Sequence, residues 1–289
     1  MKLIDGKALA EKIKDEISSE ILTFSGLHPG LAIILIGDRP DSTLYVGLKE
    51  KQAKAVGIDT HVYRCDDDIK QADLISTIEF LNNDPEIDAI LVQLPLPKHL
   101  DTDTIINTIK PEKDVDGFTK KNLEILMSED NTVEAILPPV YAVIIAMLQS
   151  IDFSLYEKSV VLIANSDIFA DNLAEVLRRQ GAEVTLVENT LDNISEKTLS
   201  ADLLITAIGK PHYITKEMIN TETVIIDIGI STGSDGKIKG DVDFENMQDL
   251  DGWVTPVPGG VGPMTIAMAF WNTLQMFKKN KNLLQTTKQ

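Results

Sequence analysis

The stretch VVLIANSDIFADNLAEVL, Val160–Leu177, decides the fold class. An unbroken apolar run, a short polar turn and a helix-forming segment follow one another. This is the pattern of a buried parallel strand feeding a helix. In dinucleotide-binding proteins that frame holds the pyrophosphate, and its turn normally carries glycines so that the backbone can approach the phosphates. Here the turn offers Ala164, Asn165, Ser166, Asp167, Ala170 and Asp171, and no glycine.

Outward from that stretch the same alternation recurs. On the carboxyl side AEVTLVEN (182–189), ADLLITAIG (201–209) and TVIIDIGI (223–230) read as strands. SDGKIKGDVDFENM (234–247) reads as a hairpin turning at Asp235-Gly236, and TIAMAFWNTLQMFKK (265–279) as a final helix. On the amino side LAIILIG (31–37), IDTHVYRC (58–65) and IDAILVQLPLP (87–97) read as strands between helices over 42–57 and 70–84. Ser42 or Asp41 is placed to cap the first of these helices and Gly57 to end it. Strands separated by helices of this length predict parallel sheets with both faces covered. The expected architecture is therefore α/β with two domains and a cleft between them, the boundary falling in the charged, turn-rich span 113–137. Ligands in such sheets sit beyond the carboxyl ends of strands, where Gln93, Asp116, Gly209, Asp227 and the 256–263 loop stand out.

Composition narrows the function. The chain has 289 residues, 43% hydrophobic and 25% charged, with a formal net charge of −18. Such acidity argues against nucleic acid or an anionic membrane as partner. A single cysteine, Cys65, excludes an internal disulfide and fits a reducing cytosol, and the four histidines show no metal-ligand spacing. The N-terminus is too charged for a signal peptide and no apolar run is long enough to span a bilayer. The expectation is a cytoplasmic protein with no metal.

Four strings could carry chemistry. In DSTLYVGLKEK, Tyr45 and Lys49 share a helix face at i, i+4, with Ser42 one turn earlier. A partly desolvated lysine can act as acid or base near neutral pH; alone, the pair also fits a surface lysine laid along a tyrosine ring. In LVQLPLP, Gln93 ends an apolar strand with a donor and an acceptor to offer. In PEKDVDG, Asp114 or Asp116 could take two parallel hydrogen bonds from a flat N–H edge, or simply form an acidic turn. In TPVPGGVGPMT, prolines and a bare Gly259-Gly260 backbone would let a ligand come close.

Taken together and in this order, STLYVGLKEKQAKAVGI, ILVQLPLPKH, KPEKDVDGF and TPVPGGVGPMT resemble the bifunctional methylenetetrahydrofolate dehydrogenase/methenyltetrahydrofolate cyclohydrolase (FolD-type) family, over essentially the whole chain. The resemblance implies a folate-binding domain from residues 1–137 and 265–289, a Rossmann-like domain over 138–264, a tetrahydrofolate derivative as substrate, and a homodimer. It implies Lys49 as the catalytic lysine, with Tyr45 and Gln93 beside it. It implies Asp116, rather than Asp114, as the pterin anchor, with Ser42, Pro258, Gly259 and Gly260 near the substrate.

The match departs at the opening stretch. Where the family has Gly-Arg-Ser, this chain has Ala164, Asn165 and Ser166, and both family glycines are alanines. Asp167 and Asp171 add negative charge. Glu188 and Asn189 replace a His-Ser pair, and Tyr141 replaces a glycine. Asn165, Ser166, Glu188 and Ile230 are the residues left to meet a nucleotide. The resulting expectation is a cyclohydrolase that has lost the ordinary NADP site. NAD is left as the one cofactor conceivable, through Glu188, although the two aspartates and the methyls of Ala164 and Ala170 oppose its pyrophosphate. The alternatives are a full bifunctional enzyme using NAD or NADP through a rebuilt loop, and a non-catalytic folate-binding homologue.

Overall fold

The computed structural model describes residues 1–128, 135–188, 194–233 and 236–283. In chain order they form β1 (Lys2–Leu3), α1 (Gly6–Ile21), β2 (Gly30–Ile36), α2 (Pro40–Val56), β3 (Asp59–Cys65), α3 (Gln71–Asn83), β4 (Ala89–Val92), α4 (Thr102–Thr108), α5 (Lys120–Met127) and α6 (Pro139–Ser150). There follow β5 (Ser159–Ala164), α7 (Asp167–Arg178), β6 (Glu183–Glu188), α8 (Ile194–Thr198), β7 (Leu203–Ala207), β8 (Val224–Asp227), β9 (Ser231–Thr232), β10 (Ile238–Lys239), β11 (Trp253–Val254) and α9 (Val261–Asn280). The chain divides into two compact units, Met1–Ala10 with Val140–Thr265 and Glu11–Pro139 with Ile266–Gln289.

In the unit that holds 11–139, β3, β2 and β4 form a parallel sheet in that order. All of β2 and β4 is buried, as their apolar runs require of strands covered on both faces. The period-two alternation of β2 divides two cores. Leu31, Ile33 and Leu35 pack with Ile17, Val46 and, from α9, Phe270 and Phe277. Ala32, Ile34 and Ile36 pack with Leu74, Ile78 and Leu81 of α3.

The unit that holds 140–265 contains a six-stranded sheet, β1-β11-β8-β7-β5-β6, with every neighbouring pair parallel. β6 and β7 lie on opposite sides of β5, so the chain reverses its course across the sheet there. That reversal makes the carboxyl ends of β5 and β7 the topological switch point at which open α/β sheets bind ligands.

The structure departs from the sequence expectations in places. Residues 1–10 belong with the six-stranded sheet, because β1 pairs with β11 (Lys2↔Trp253); two residues are too short a strand to show a period. α5 lies within the span read as boundary, started by Thr119, whose side chain accepts the N–H of Asn122. α2 begins at Pro40, so Ser42 and Asp41 lie inside its first turn rather than at its cap. Gly57 does end α2, in a left-handed conformation with φ 91°. The expected hairpin forms, with Ile238 opposite Thr232, while its turn residue Asp235 lies outside the described residues.

Candidate active site

α2 carries Ser42, Tyr45 and Lys49 on successive turns, and Gln93 is the first residue beyond β4. Lys49 Nζ donates to Gln93 Oε1 at 2.9 Å. Gln93 Nε2 in turn donates to Leu94 O at 2.7 Å, and its backbone N–H to Ile34 O at 2.9 Å. The amide is therefore fixed with its oxygen toward the lysine. Burial lowers the pKa of Lys49, and the carboxylate of Asp116 acts in the opposite direction. Tyr45 is half-buried one turn before Lys49 and takes no part in the Lys49–Gln93 hydrogen bond; Ser42 is buried. An amine whose pKa is lowered by burial gives up its proton more readily than an exposed lysine, as an acid–base role requires.

The turn over residues 114–119, between α4 and α5, separates the roles of the two aspartates. Asp114 is 1% exposed, and its carboxylate accepts from Gly117 N (3.0 Å), Thr119 N (2.7 Å) and Asn122 Nδ2 (3.0 Å). It is committed to building the turn. Gly117 turns there with φ +70°, and a Cβ would stand 3.0 Å from Ile136 O, so no other residue suits it. Asp116 is left half-buried, with its carboxyl pushed up to about 6 by burial, held back by the Lys49 cation and raised further by Asp114.

Sequence reasoning missed the residue that ties this turn to the last helix. Asn272 of α9 donates through Nδ2 to Val115 O at 2.9 Å and Leu137 O at 3.1 Å. Its signal was an amide between Trp271 and Thr273, within the apolar central part of the helix. Asn272→Ala should lower the stability of the chain by ~1–3 kcal/mol, since two carbonyls lose their donor; a shift in the urea midpoint measures this.

Pro258, Gly259 and Gly260 belong to the other unit. The loop is closed there by Gly260 N donating to Pro256 O at 2.7 Å, and a Cβ on Gly260 would come within 2.7 Å of that same oxygen.

At the carboxyl edge of the six-stranded sheet, Ser166 caps α7, its Oγ accepting Phe169 N. The first intrahelical bond runs from Ala170 N to Ser166 O. The N–H groups of Asp167 and Ile168 are thus the ones presented at the helix N-terminus. Asn165 Nδ2 reaches across the switch point to Ile208 O at 3.0 Å. Tyr141 and Phe169 belong together: Tyr141 Oη donates to Phe169 O at 3.0 Å and the rings lie 5.4 Å apart. Glu188 ends β6, exposed and in register with Ala164; Ile230 is 53% exposed just past β8. Asn189 lies outside the described residues. Among the described residues no cluster of His, Cys, Asp or Glu could hold a metal ion, and no helix is long and apolar enough to cross a membrane.

Comparison with known proteins covers both units. The model of the tetrahydrofolate dehydrogenase/cyclohydrolase catalytic domain matches residues 4–116, and that of the family's NAD(P)-binding domain matches residues 138–281. The chain is 42% identical to the bifunctional protein FolD of Bordetella avium, over 95% of this chain and 96% of that protein. It is similar in structure to the FolD dehydrogenase/cyclohydrolase of Campylobacter jejuni, with a TM-score of 0.92, 38% identity and coverage of 98% of this chain and 100% of that one. The Trypanosoma brucei enzyme, solved with NADP and an inhibitor, superposes with a TM-score of 0.90 at 32% identity, covering 96% of this chain and 97% of that one.

These findings overturn the expectation that NADP is lost and NAD barely tolerated. The NAD(P)-binding model matches across the glycine-free turn itself, and a relative of this fold holds NADP. The physical reason lies in the backbone. The pyrophosphate site of such a sheet is made by helix N-terminal N–H groups, and those of α7 are in place. Ala170, whose methyl was expected to hold a phosphate away, is a buried residue, 9% exposed. The turn has been rebuilt around Asn165, Tyr141 and Phe169.

Proposed function

The chain belongs to the tetrahydrofolate dehydrogenase/cyclohydrolase family, and we propose that it carries out both reactions: NAD(P)-linked oxidation of 5,10-methylenetetrahydrofolate to the 5,10-methenyl form, and hydrolysis of that to 10-formyltetrahydrofolate. The observation that carries the hydrolytic half is the Lys49–Gln93 hydrogen bond beside the charge of Asp116. The methenyl bridge is a cationic N–C–N unit. Water adds to its carbon and loses a proton, giving a neutral hydroxyl adduct. N5 then gains a proton as its bond to that carbon breaks, and the hydroxyl releases its own proton to solvent to leave the formyl C=O on N10, so that one proton is released overall. Lys49, with its pKa lowered by burial, takes the first proton and returns the second. Gln93 keeps its amine directed, and Asp116 holds the pterin through its N–H edge.

The oxidative half rests on the nucleotide edge. The amides of Asp167 and Ile168 suit a pyrophosphate, and Glu188 stands at the strand end where an acidic residue meets ribose hydroxyls. A bound nicotinamide supplies the hydride acceptor. What this chain supplies is the binding edge and the orientation of the folate. The methylene carbon needs no proton acceptor in that step, since the cation is the product.

Incubating the purified chain with 5,10-methylenetetrahydrofolate and either NADP or NAD tests both halves. Nucleotide reduction should accompany methenyl formation, and added methenyltetrahydrofolate should decay faster than in buffer. No reduction with either nucleotide would return the reading to a cyclohydrolase alone; no accelerated decay would remove the catalytic role of Lys49. Sedimentation of the same preparation reads the homodimer that the family resemblance implies.

A further inference from the structure

At the exits of β7 and β8 lie two buried carboxylates that the two reactions do not use. Asp241 is fully buried and accepts from Thr206 Oγ1 (2.8 Å), Ile208 N (2.7 Å) and Lys210 N (2.8 Å). Asp227 is 2% exposed and accepts from Gly229 N (2.9 Å), Asp241 N (3.2 Å) and Val242 N (3.0 Å). Neither forms an ion pair among the described residues. The packing is close enough to demand glycine on both sides: a Cβ on Gly229 would stand 2.1 Å from the Asp241 carboxyl carbon, and one on Gly240 2.1 Å from Asp227 Oδ2.

Two adjacent buried carboxylates without a cation are a costly way to staple a core. Burial pushes Asp227 up to about 7, with Asp241 adding to that rise and the backbone donors resisting it. What the pair holds explains the cost. The donors to Asp241 from the main chain are not in the sheet ladder; they belong to the irregular segment 208–210 that leaves β7 at the switch point. That segment is gripped from its other side by Asn165, through Ile208 O. The turn after β5 and the turn after β7 are thus locked to one another, and Asp241 is the anchor of the second.

We propose that Asp241 is a positioning residue for the nicotinamide nucleotide: by gathering Thr206, Ile208 N and Lys210 N it holds the 208–210 segment as a preformed wall of the nucleotide site. The proposal rests on the bifunctional reading. Asp227 supports it at one remove, bonding the backbone of Asp241 itself and the Gly229 turn that leads to Ile230.

The two activities separate positioning from mere support, because hydrolysis uses no nucleotide. Asp241→Asn puts an amide among three donors and frees one of them. It should raise KM for the nucleotide in methylenetetrahydrofolate oxidation by roughly tenfold or more, change kcat little, and leave methenyltetrahydrofolate hydrolysis within about twofold of wild type. Thr206→Val, which removes one donor and no backbone contact, should raise the same KM by roughly threefold, and Thr206→Ser should restore it. Should Asp241→Asn fail to fold, the Thr206 pair decides the matter. An unchanged nucleotide KM in an active wild-type background, or an equal loss of both activities, overturns the proposal while leaving the bifunctional reading intact. A wild-type chain that oxidises no methylenetetrahydrofolate with either nucleotide overturns both.

Discussion

Lys49→Met is expected to lower kcat/KM for methenyltetrahydrofolate hydrolysis by ~10²–10⁴-fold, the range that a positioned general acid–base contributes. Methionine keeps an unbranched apolar stem of similar length, so the packing around α2 is little altered. What disappears is the amine, and with it the donor to Gln93 Oε1. The structural loss is a single, half-exposed hydrogen bond, worth ~1 kcal/mol, and the fold should survive it. Nucleotide binding provides the control, since the helix N-terminus at Ser166 belongs to the other unit. Stopped-flow decay of the methenyl absorbance measures the effect against the rate in buffer. A variant within a few-fold of wild type would mean that Lys49 is a surface lysine along a tyrosine ring after all.

What could be read of this site beforehand was set by the range of its interactions. Tyr45 and Lys49 are visible as a pair because i, i+4 is a local spacing, yet the hydrogen bond that forms is between Lys49 and Gln93, 44 residues on. No local pattern encodes that pairing; only the family resemblance linked the two. The strands were legible for the opposite reason. Runs such as VVLIA and LAIILI are buried on both faces of parallel sheets and are apolar throughout. β1 and α5 were not legible. Two residues carry no period, and α5 is a charged helix whose strongest signal is its cap. The nucleotide turn was misread because its residues were judged one side chain at a time. Tyr141, taken alone, looks like the loss of a family glycine. In the fold it is joined to Phe169 by a hydrogen bond and a ring contact. Ala170, likewise, is buried in the fold.

Asp116→Asn should weaken folate binding by ~1–3 kcal/mol, roughly five- to 150-fold in Kd, because an amide cannot accept both hydrogen bonds of a flat N–H edge. The wild-type pH dependence carries the same information with a definite sign. Burial pushes the Asp116 carboxyl up to about 6, above the usual carboxylate range. The ionised form accepts the pterin, so affinity should be full above that value and fall as pH drops through it, a limb that an ordinary aspartate would show only in stronger acid. Asp116→Asn should abolish the limb. Asp114→Asn should behave differently. Removing a neighbouring negative charge moves the Asp116 limb to lower pH, while the loss of an acceptor for Gly117, Thr119 or Asn122 appears as a lower unfolding midpoint. One aspartate thus reports in affinity and the other in stability. Calorimetric titration with a folate analogue between pH 5 and 8, on both variants, reads the distinction. A folded Asp114→Asn that loses more affinity than Asp116→Asn would reverse the two roles.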